Sequence, residues 1–209
     1  MNKKLKMFLA VFLVIVLASF LIFKVVEYKN EKADELNYLN IEDFTKTEVD
    51  GKTVLENEDI GLRFTVPQGW ETGYSYWSNV SMRSLDFEPL VDDPSGTPFP
   101  QKGCFMDVML SVNSKNGFSY DFVHDLANIE GYAESNSTET SKYEKVEINT
   151  LRAVKYTHIL TSNKGSSVSI QIPYNKTNKV FAFYVYLTGQ DKEKCLEEFN
   201  SFINSVYIK

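Results

Sequence analysis

The chain has 209 residues, of which 43% are hydrophobic and 14% aromatic, and its formal net charge is −6. This composition supplies enough apolar surface for a folded core without further cross-links. The acidic balance excludes nucleic acid as an expected partner, because phosphate binding requires a patch of clustered Lys and Arg.

The N-terminus carries an apolar run from Met7 to Phe23, in which Ser19 is the only polar residue. Extended by the next few residues, the run reaches about the 20 residues that a helix needs to cross a bilayer. Lysines flank it evenly, so the charge bias that sets orientation is nearly flat, but the short N-terminal tail favours a C-terminal domain outside the cytoplasm. We therefore expect a signal-anchor over residues 1–26, a transmembrane helix that contacts the lipid bilayer through Met7 to Phe23, and a single-pass protein of the cell membrane.

The alternative is a signal peptide that is cleaved after Ala18. The segment Val16-Leu17-Ala18 is the only plausible cleavage site of the small-x-small type. Cleavage there would cut the apolar run in its middle and leave an apolar new N-terminus at Ser19. We therefore favour retention of the run as an anchor.

The segment behind the anchor is strongly acidic. Residues 27–59 carry a net charge of −7, whereas residues 60–209 carry −3. We interpret residues 27–58 as a solvated stalk, which anionic headgroups would repel and so hold away from the bilayer. Residues 59–209 are then expected to form one domain.

Alternating apolar residues predict the first strands of this domain. Residues 60–66 alternate and are followed by a turn at residues 67–70. Residues 104–112 alternate again, with Asp107 on the face opposite to the apolar row. Between these strands, residues 87–103 hold four of the six prolines and are expected to form a long loop.

The second half of the domain mixes helices and strands. Residues 118–129 have helical spacing, and residues 151–160 and 168–172 are expected to form a hairpin. Residues 180–187 are apolar on both faces and predict a central strand, and a final helix is expected over residues 191–204. This order predicts an α+β fold with an antiparallel sheet covered by helices, an α-β-α sandwich.

Two segments resemble PsbP-like domains. Residues 61–70, GLRFTVPQGW, resemble the Gly-apolar-x-Phe-x-x-Pro-x-x-Trp opening of that family, and residues 148–156 resemble one of its strands, with Thr150 where the family has Gly. The resemblance covers about residues 55–209 and implies an α-β-α sandwich without a shared catalytic apparatus. Plant and cyanobacterial members are extrinsic subunits of photosystem II, a relative binds a small GTPase, and many bacterial members are secreted or membrane-anchored. The resemblance implies the fold and none of these roles, because no residues of this chain match the surfaces behind them.

Cys104 and Cys195 are the only cysteines, and both lie on rows that are expected to face the core. In an oxidising compartment they could form a disulfide. They could equally be two buried free thiols that act as small hydrophobic side chains. The sequence leaves both readings open.

Four aromatic residues crowd one short stretch: Trp70, Tyr74, Tyr76 and Trp77. If exposed, these rings could contact the sugar or peptide faces of a cell-wall polymer. If buried, they would cover an edge of the sheet and fill the core.

No catalytic or metal-binding motif accompanies these residues. The two histidines, His124 and His158, have no Cys or Glu at ligand spacing, and the motifs of serine hydrolases and zinc proteases are absent from the sequence. We therefore expect no catalytic residue, no metal and no cofactor, and the chain is not expected to be an enzyme.

These observations favour a membrane-anchored, extracytoplasmic, non-enzymatic module that binds an envelope protein. The alternative is a domain that binds a ligand or a cell-wall polysaccharide, or, behind that, a hydrolytic domain. Its site would lie between residues 70–77 and the loop 87–103, in a pocket lined by the four rings and at least one carboxylate.

Overall fold

The computed structural model describes most of the chain, namely residues 16–25, 39–74, 80–90, 99–111, 123–124, 141–159, 165–174 and 179–209. The chain divides into two compact units, Met1–Asn37 and Tyr38–Lys209. Residues 16–25 of the first unit are helical. No helix within the described ranges is both long and apolar enough to cross a membrane, and residues 7–15 of the predicted anchor lie outside these ranges.

The second unit begins with a small antiparallel sheet. It contains β1 (Thr45–Val49), β2 (Lys52–Asn57), β3 (Leu62–Thr65) and β13 (Tyr207–Ile208), in the order β1-β2-β3-β13. Each neighbouring pair is antiparallel. The strand predicted at residues 60–66 is therefore confirmed as β3.

The predicted boundary between stalk and domain, at residue 58, is wrong. Leu39 and Leu55 are buried in the core of the second unit, so this unit starts well before residue 59. Asp50 and Gly51 both have positive φ angles, of 52° and 73°, and form the two-residue turn of the β1–β2 hairpin. The prediction interpreted the acidic charge of this segment as a sign of a linker. β1 is exposed along its whole length, so its charged side chains face solvent while its backbone is part of the sheet.

A seven-stranded antiparallel sheet forms the larger part of the unit. Its order is β4-β5-β8-β12-β11-β10-β9, and its strands are β4 (Trp70–Tyr74), β5 (Val80–Ser84), β8 (Phe105–Ser111), β9 (Ser141–Ile148), β10 (Leu151–Ile159), β11 (Ser166–Tyr174) and β12 (Lys179–Leu187). Two further strands, β6 (Glu88–Pro89) and β7 (Pro100–Lys102), form a separate ribbon inside the predicted loop 87–103. The fold is thus built mainly from antiparallel sheets.

The large sheet matches the sequence pattern in its centre. β12 is the fourth of seven strands and is buried on both faces, which confirms the central strand predicted at residues 180–187. β10 and β11 pair antiparallel as the predicted hairpin. Of the helix predicted over residues 118–129, Val123 and His124 are described and helical, and the other positions lie outside the described ranges.

The core lies between one face of the large sheet, the small sheet and the C-terminal helix (Lys192–Ile203). Phe202 of this helix makes an edge contact with Phe64 of β3 at 5.4 Å between ring centroids. The same ring lies 6.0 Å from Phe183 of β12. One helical side chain thus contacts both sheets, which explains why a single core joins them.

A disulfide fixes the helix to the start of β8. Cys104 and Cys195 are fully buried, with a sulfur–sulfur distance of 2.10 Å and Cα atoms 5.3 Å apart. Next to it, the Asp191 carboxylate accepts a hydrogen bond of 2.8 Å from the Gly103 amide. Both contacts hold the N-terminal end of the helix against the sheet.

A strained turn holds the other end of the helix. Asn149 and Thr150, between β9 and β10, have φ angles of 48° and 73°. The Asn149 side-chain amide donates to the carbonyl oxygens of Asn204 and Val206, at 3.1 and 2.7 Å. Turns of this type favour Gly, since a β-branched residue at positive φ is strained.

Replacing Thr150 with Gly should stabilise the domain, by about 1 kcal/mol, because it removes backbone strain at positive φ. The measurement is the free energy of unfolding of residues 38–209 in urea. Thr157→Gly, within β10 at an ordinary strand position, is the control and should destabilise instead. Equal destabilisation by both substitutions would contradict the strain at Thr150.

Reduction of the disulfide should destabilise the domain, because the bond closes a loop with a sequence separation of 91 residues. The chain-entropy model gives a loss of about 4.6 kcal/mol. The check is intact mass after alkylation with and without reductant, followed by unfolding of both forms. Alkylation of both thiols without reductant would show that the bond is absent.

Candidate functional site

A row of polar side chains crosses six strands on the face of the large sheet that points away from the core. Residues directly opposite each other in an antiparallel pair share one face, and the strand register links Tyr143, Tyr156, Ser169, Tyr184, Asp107 and Ser81 in that order. Every member carries a hydroxyl or a carboxyl group. We call this set the polar row.

Asp107 is the buried acid of the polar row. Its side chain is 5% exposed and accepts a hydrogen bond from the hydroxyl of Ser81. Burial raises the pKa of Asp107 to about 6, although hydrogen bonds from Ser81 and Tyr186 partly oppose this rise. The carboxyl therefore changes its protonation state close to neutral pH.

The tyrosines beside Asp107 stay protonated at physiological pH. Burial, with smaller contributions from Tyr156 and Asp107, raises the pKa of Tyr184 to about 12. Burial and the charge of Asp107 also raise the pKa of Tyr186 well above its usual range. These hydroxyls therefore act as neutral hydrogen-bond partners, not as bases.

Partly buried aromatic rings form the β9–β10 end of the polar row. The rings of Tyr143 and Tyr156 are 4.7 Å apart between centroids. The Tyr156 ring also stacks at 5.9 Å on His158, and its hydroxyl lies 3.3 Å from the histidine Nδ1. Val123 covers part of the same face, where it packs with Val154 and Val180.

Buried members of the polar row form hydrogen bonds with other side chains of the protein. Gln171 donates to Ser169 at 3.2 Å, which in turn is a hydrogen-bond partner of Tyr184, so buried polar groups are paired as stability requires. General acid or base catalysis needs a group within reach of a substrate, whereas Asp107 is enclosed. Within the described ranges, no group of three or more His, Cys, Asp or Glu is placed to hold a metal ion.

The structure separates the predicted site residues into two places. Cys104 and Cys195 lie together in the core. Trp70 is half-buried at the start of β4 and packs against the core. The side chain of Tyr74, and Tyr76 and Trp77 entirely, lie outside the described part of the chain, so their contact with a ligand stays a prediction.

Two cavities lie beside Val66, which lines both of them. The first has a volume of about 320 Å³ and is lined by Lys46, Thr53, Val66, Trp70, Glu71 and Thr72. The second has a volume of about 350 Å³ and is lined by Lys52, residues 65–68, Glu198, Ser201, Phe202 and Ser205. We call them the Val66 cavities.

The position of the first cavity differs from the predicted site. The sequence placed a pocket between residues 70–77 and the loop 87–103, whereas Trp70 lines a cavity together with Lys46 of β1 and Thr53 of β2. Sequence reasoning missed these two residues because it assigned them to the stalk. The Asp50-Gly51 pair, a strong hairpin signal, could have revealed them.

The carboxylates near the first cavity are already engaged. Glu71 is held by the guanidinium of Arg83 at 2.9 Å, and Glu48 accepts a hydrogen bond of 2.7 Å from the Thr53 hydroxyl. Glycoside hydrolysis generally requires two carboxyl groups, one on each side of the scissile bond. The cavity is therefore better suited to binding than to hydrolysis.

No family model and no curated protein matches the chain. Its structure is similar to the solution structure of cyanobacterial PsbP (CyanoP) from Synechocystis sp. PCC 6803, at 12% identity and a TM-score of 0.40, over 80% of this chain and 93% of that one. It is also similar to LpqN, involved in cell envelope biogenesis of Mycobacterium tuberculosis, at 12% identity and a TM-score of 0.32, over 83% of this chain and 98% of that one.

The raised pKa of Asp107 predicts a pH-dependent stability. The folded protein binds this proton more tightly than the unfolded chain, where the pKa is 3.8. The free energy of unfolding should therefore fall as the pH rises from about 4 to about 6, by up to about 3 kcal/mol, and level off above that. The measurement is urea unfolding of the wild type and of Asp107→Asn between pH 4 and pH 8.

The variant keeps the shape and the acceptor oxygen but carries no charge. Carboxyls with a lowered pKa, such as Asp86 and Glu144, are present in both proteins, so their contributions cancel in the difference. The stability of Asp107→Asn relative to the wild type should grow between pH 4 and pH 6. A constant difference across this range would contradict the buried acid.

Proposed function

We propose that the chain is a membrane-anchored, extracytoplasmic, non-enzymatic module that binds a protein of the cell envelope. The observation that carries the proposal is the buried disulfide between Cys104 and Cys195, because such bonds persist in oxidising compartments and are rare in the cytosol. The apolar run from Met7 to Phe23 supports the same location, as a single-pass anchor in the cell membrane.

The absence of enzymatic activity is part of this proposal. Asp107 is enclosed by the fold, and Glu71 is paired with Arg83. Both carboxyls therefore act within the protein and do not form an acid–base pair for a substrate. A binding role requires none.

We further propose an α-β-α sandwich behind a short linker. A helix over residues 118–129 would cover the polar row, which the packing of Val123 on Val154 and Val180 supports. The linker would then span residues 27–37, since the second unit begins at Tyr38.

Cross-linking from outside the cell tests location and binding together. The full chain is produced in a bacterial host, and a membrane-impermeant amine cross-linker is added to spheroplasts. The exposed lysines of the domain, such as Lys46 and Lys52, should be modified, and a conjugate with an envelope protein should appear in the membrane fraction. A variant without residues 1–26 is the control and should stay unmodified.

The outcomes separate the parts of the proposal. An unmodified full chain would contradict the external location. A modified chain without a conjugate would contradict the protein partner. A soluble, modified product that begins at Ser19 would identify the cleaved alternative in place of the anchor.

A second candidate function is the binding of a small ligand or a polysaccharide by the domain itself. The first Val66 cavity favours it, because this cavity brings the ring of Trp70 together with hydroxyl and charged side chains. Its volume of about 320 Å³ lies in the range of small-molecule sites.

A further inference from the structure

We infer that the Val66 cavities bind uncharged sugar units of a glycan, with Trp70 as the ring against which one unit packs. This inference rests on the second candidate function and names its ligand class. It does not depend on the membrane anchor or on a protein partner.

The lining of the first cavity matches the two sides of a sugar. One side of a pyranose ring is a patch of C–H groups, which can pack on the part of the half-buried Trp70 indole that lines the cavity. The edge of the sugar carries hydroxyls that donate and accept hydrogen bonds. Thr72 and Lys46 supply a hydroxyl and an ammonium group around Trp70, and the Thr53 hydroxyl, which donates to Glu48, still offers an acceptor oxygen.

The charge of the lining favours an uncharged ligand. The two cavities are lined by Lys46, Lys52, Glu71 and Glu198, and Arg83 pairs with Glu71. The lining therefore carries charges of both signs without a large excess of either. Electrostatic complementarity thus selects neither a polyanion nor a polycation, whereas a neutral sugar can use both signs as hydrogen-bond partners.

The arrangement of the cavities favours a chain of more than one unit. Val66 lines both volumes, of about 320 and 350 Å³, and we take them as neighbouring subsites for one ligand. The second cavity offers Ser201, Ser205 and Gln68 as further polar partners. A glycan could thus place one unit on Trp70 and the next beside Lys52.

Fluorescence titration of the full chain tests this inference. The chain has two tryptophans, so Trp77→Phe leaves Trp70 as the only reporter. The probes are β-1,4-linked N-acetylglucosamine oligomers of one to four units, with galacturonate oligomers of the same lengths as charged probes. A zwitterionic detergent keeps the anchor soluble, since maltoside detergents carry sugar themselves.

The neutral oligomers should give a saturable change in Trp70 emission, with tighter binding of the tetramer than of the monomer. Lys46 is exposed and Thr72 is partly exposed. Lys46→Ala and Thr72→Val should each weaken binding of the monomer and of the tetramer by about five- to tenfold. Lys52→Ala should weaken binding of the tetramer only. Thr47→Val is the matched control, because Thr47 is an exposed neighbour on β1, and it should bind like the parent.

Each other outcome overturns the inference. The absence of a saturable change with neutral oligomers would exclude sugar binding at Trp70. Unchanged binding by Lys46→Ala and Thr72→Val would place the sugar elsewhere. Tighter, strongly salt-dependent binding of galacturonate would exclude an uncharged ligand. Cross-linking of the chain outside the cell is independent of all three results, so failure of the location and failure of the sugar site are distinguishable.

Discussion

The ring of Phe202 lies between two sheets, 5.4 Å from Phe64 of the small sheet and 6.0 Å from Phe183 of the large one. The rest of the unit depends on this contact, because the ring of Phe202 joins the apolar faces of both sheets in one core. Loss of such a ring from a core typically costs about 3–5 kcal/mol. The disulfide at Cys195 and the amide of Asn149 hold the two ends of the helix and so keep the ring in place.

The opposite face of the large sheet follows a different physical rule. Asp107, Ser81 and Ser169 lie there almost without exposure, in a position where apolar side chains would cost less to bury. Such a network is stable only when every member is paired, and it then fixes the register of the strands that contribute to it. The polar row thus specifies how six strands align, while Phe202 determines what they pack against.

The sequence pattern could predict the elements that bury one clean apolar face. β3, β8 and the C-terminal helix follow from periodicity, because their apolar residues recur at intervals of two or of three to four. β12 follows instead from its apolar residues on both faces. The same reasoning located Asp107 opposite to the core, but it could not predict its burial. That burial depends on what covers the second face, which is a tertiary property of the whole unit.

Other elements were not predicted from the sequence, for reasons that are local to each. β9 has apolar side chains only at its C-terminal end and in Tyr143, so its alternation is weak, and β1 is exposed throughout. The first Val66 cavity was missed with β1 and β2, because charge was read as a sign of a linker. The sequence could not decide whether Cys104 and Cys195 form a disulfide. Sequence separation gives no distance in space between the core-facing residues of β8 and those of the C-terminal helix.

The small sheet is completed by residues from opposite ends of the unit. β13, the last strand, pairs with β3, and the amide of Lys209 donates to the carbonyl of Gly61 at 2.9 Å. During synthesis the N-terminal strands therefore appear long before the helix and strand that cover them. Non-local contacts form slowly and leave apolar surface exposed until they form. The apolar faces of β3 and β8 therefore stay uncovered until almost the entire chain has been synthesised. If the domain crosses a membrane as an extended chain, as the proposed external location requires, such a delay keeps it unfolded until its passage is nearly complete.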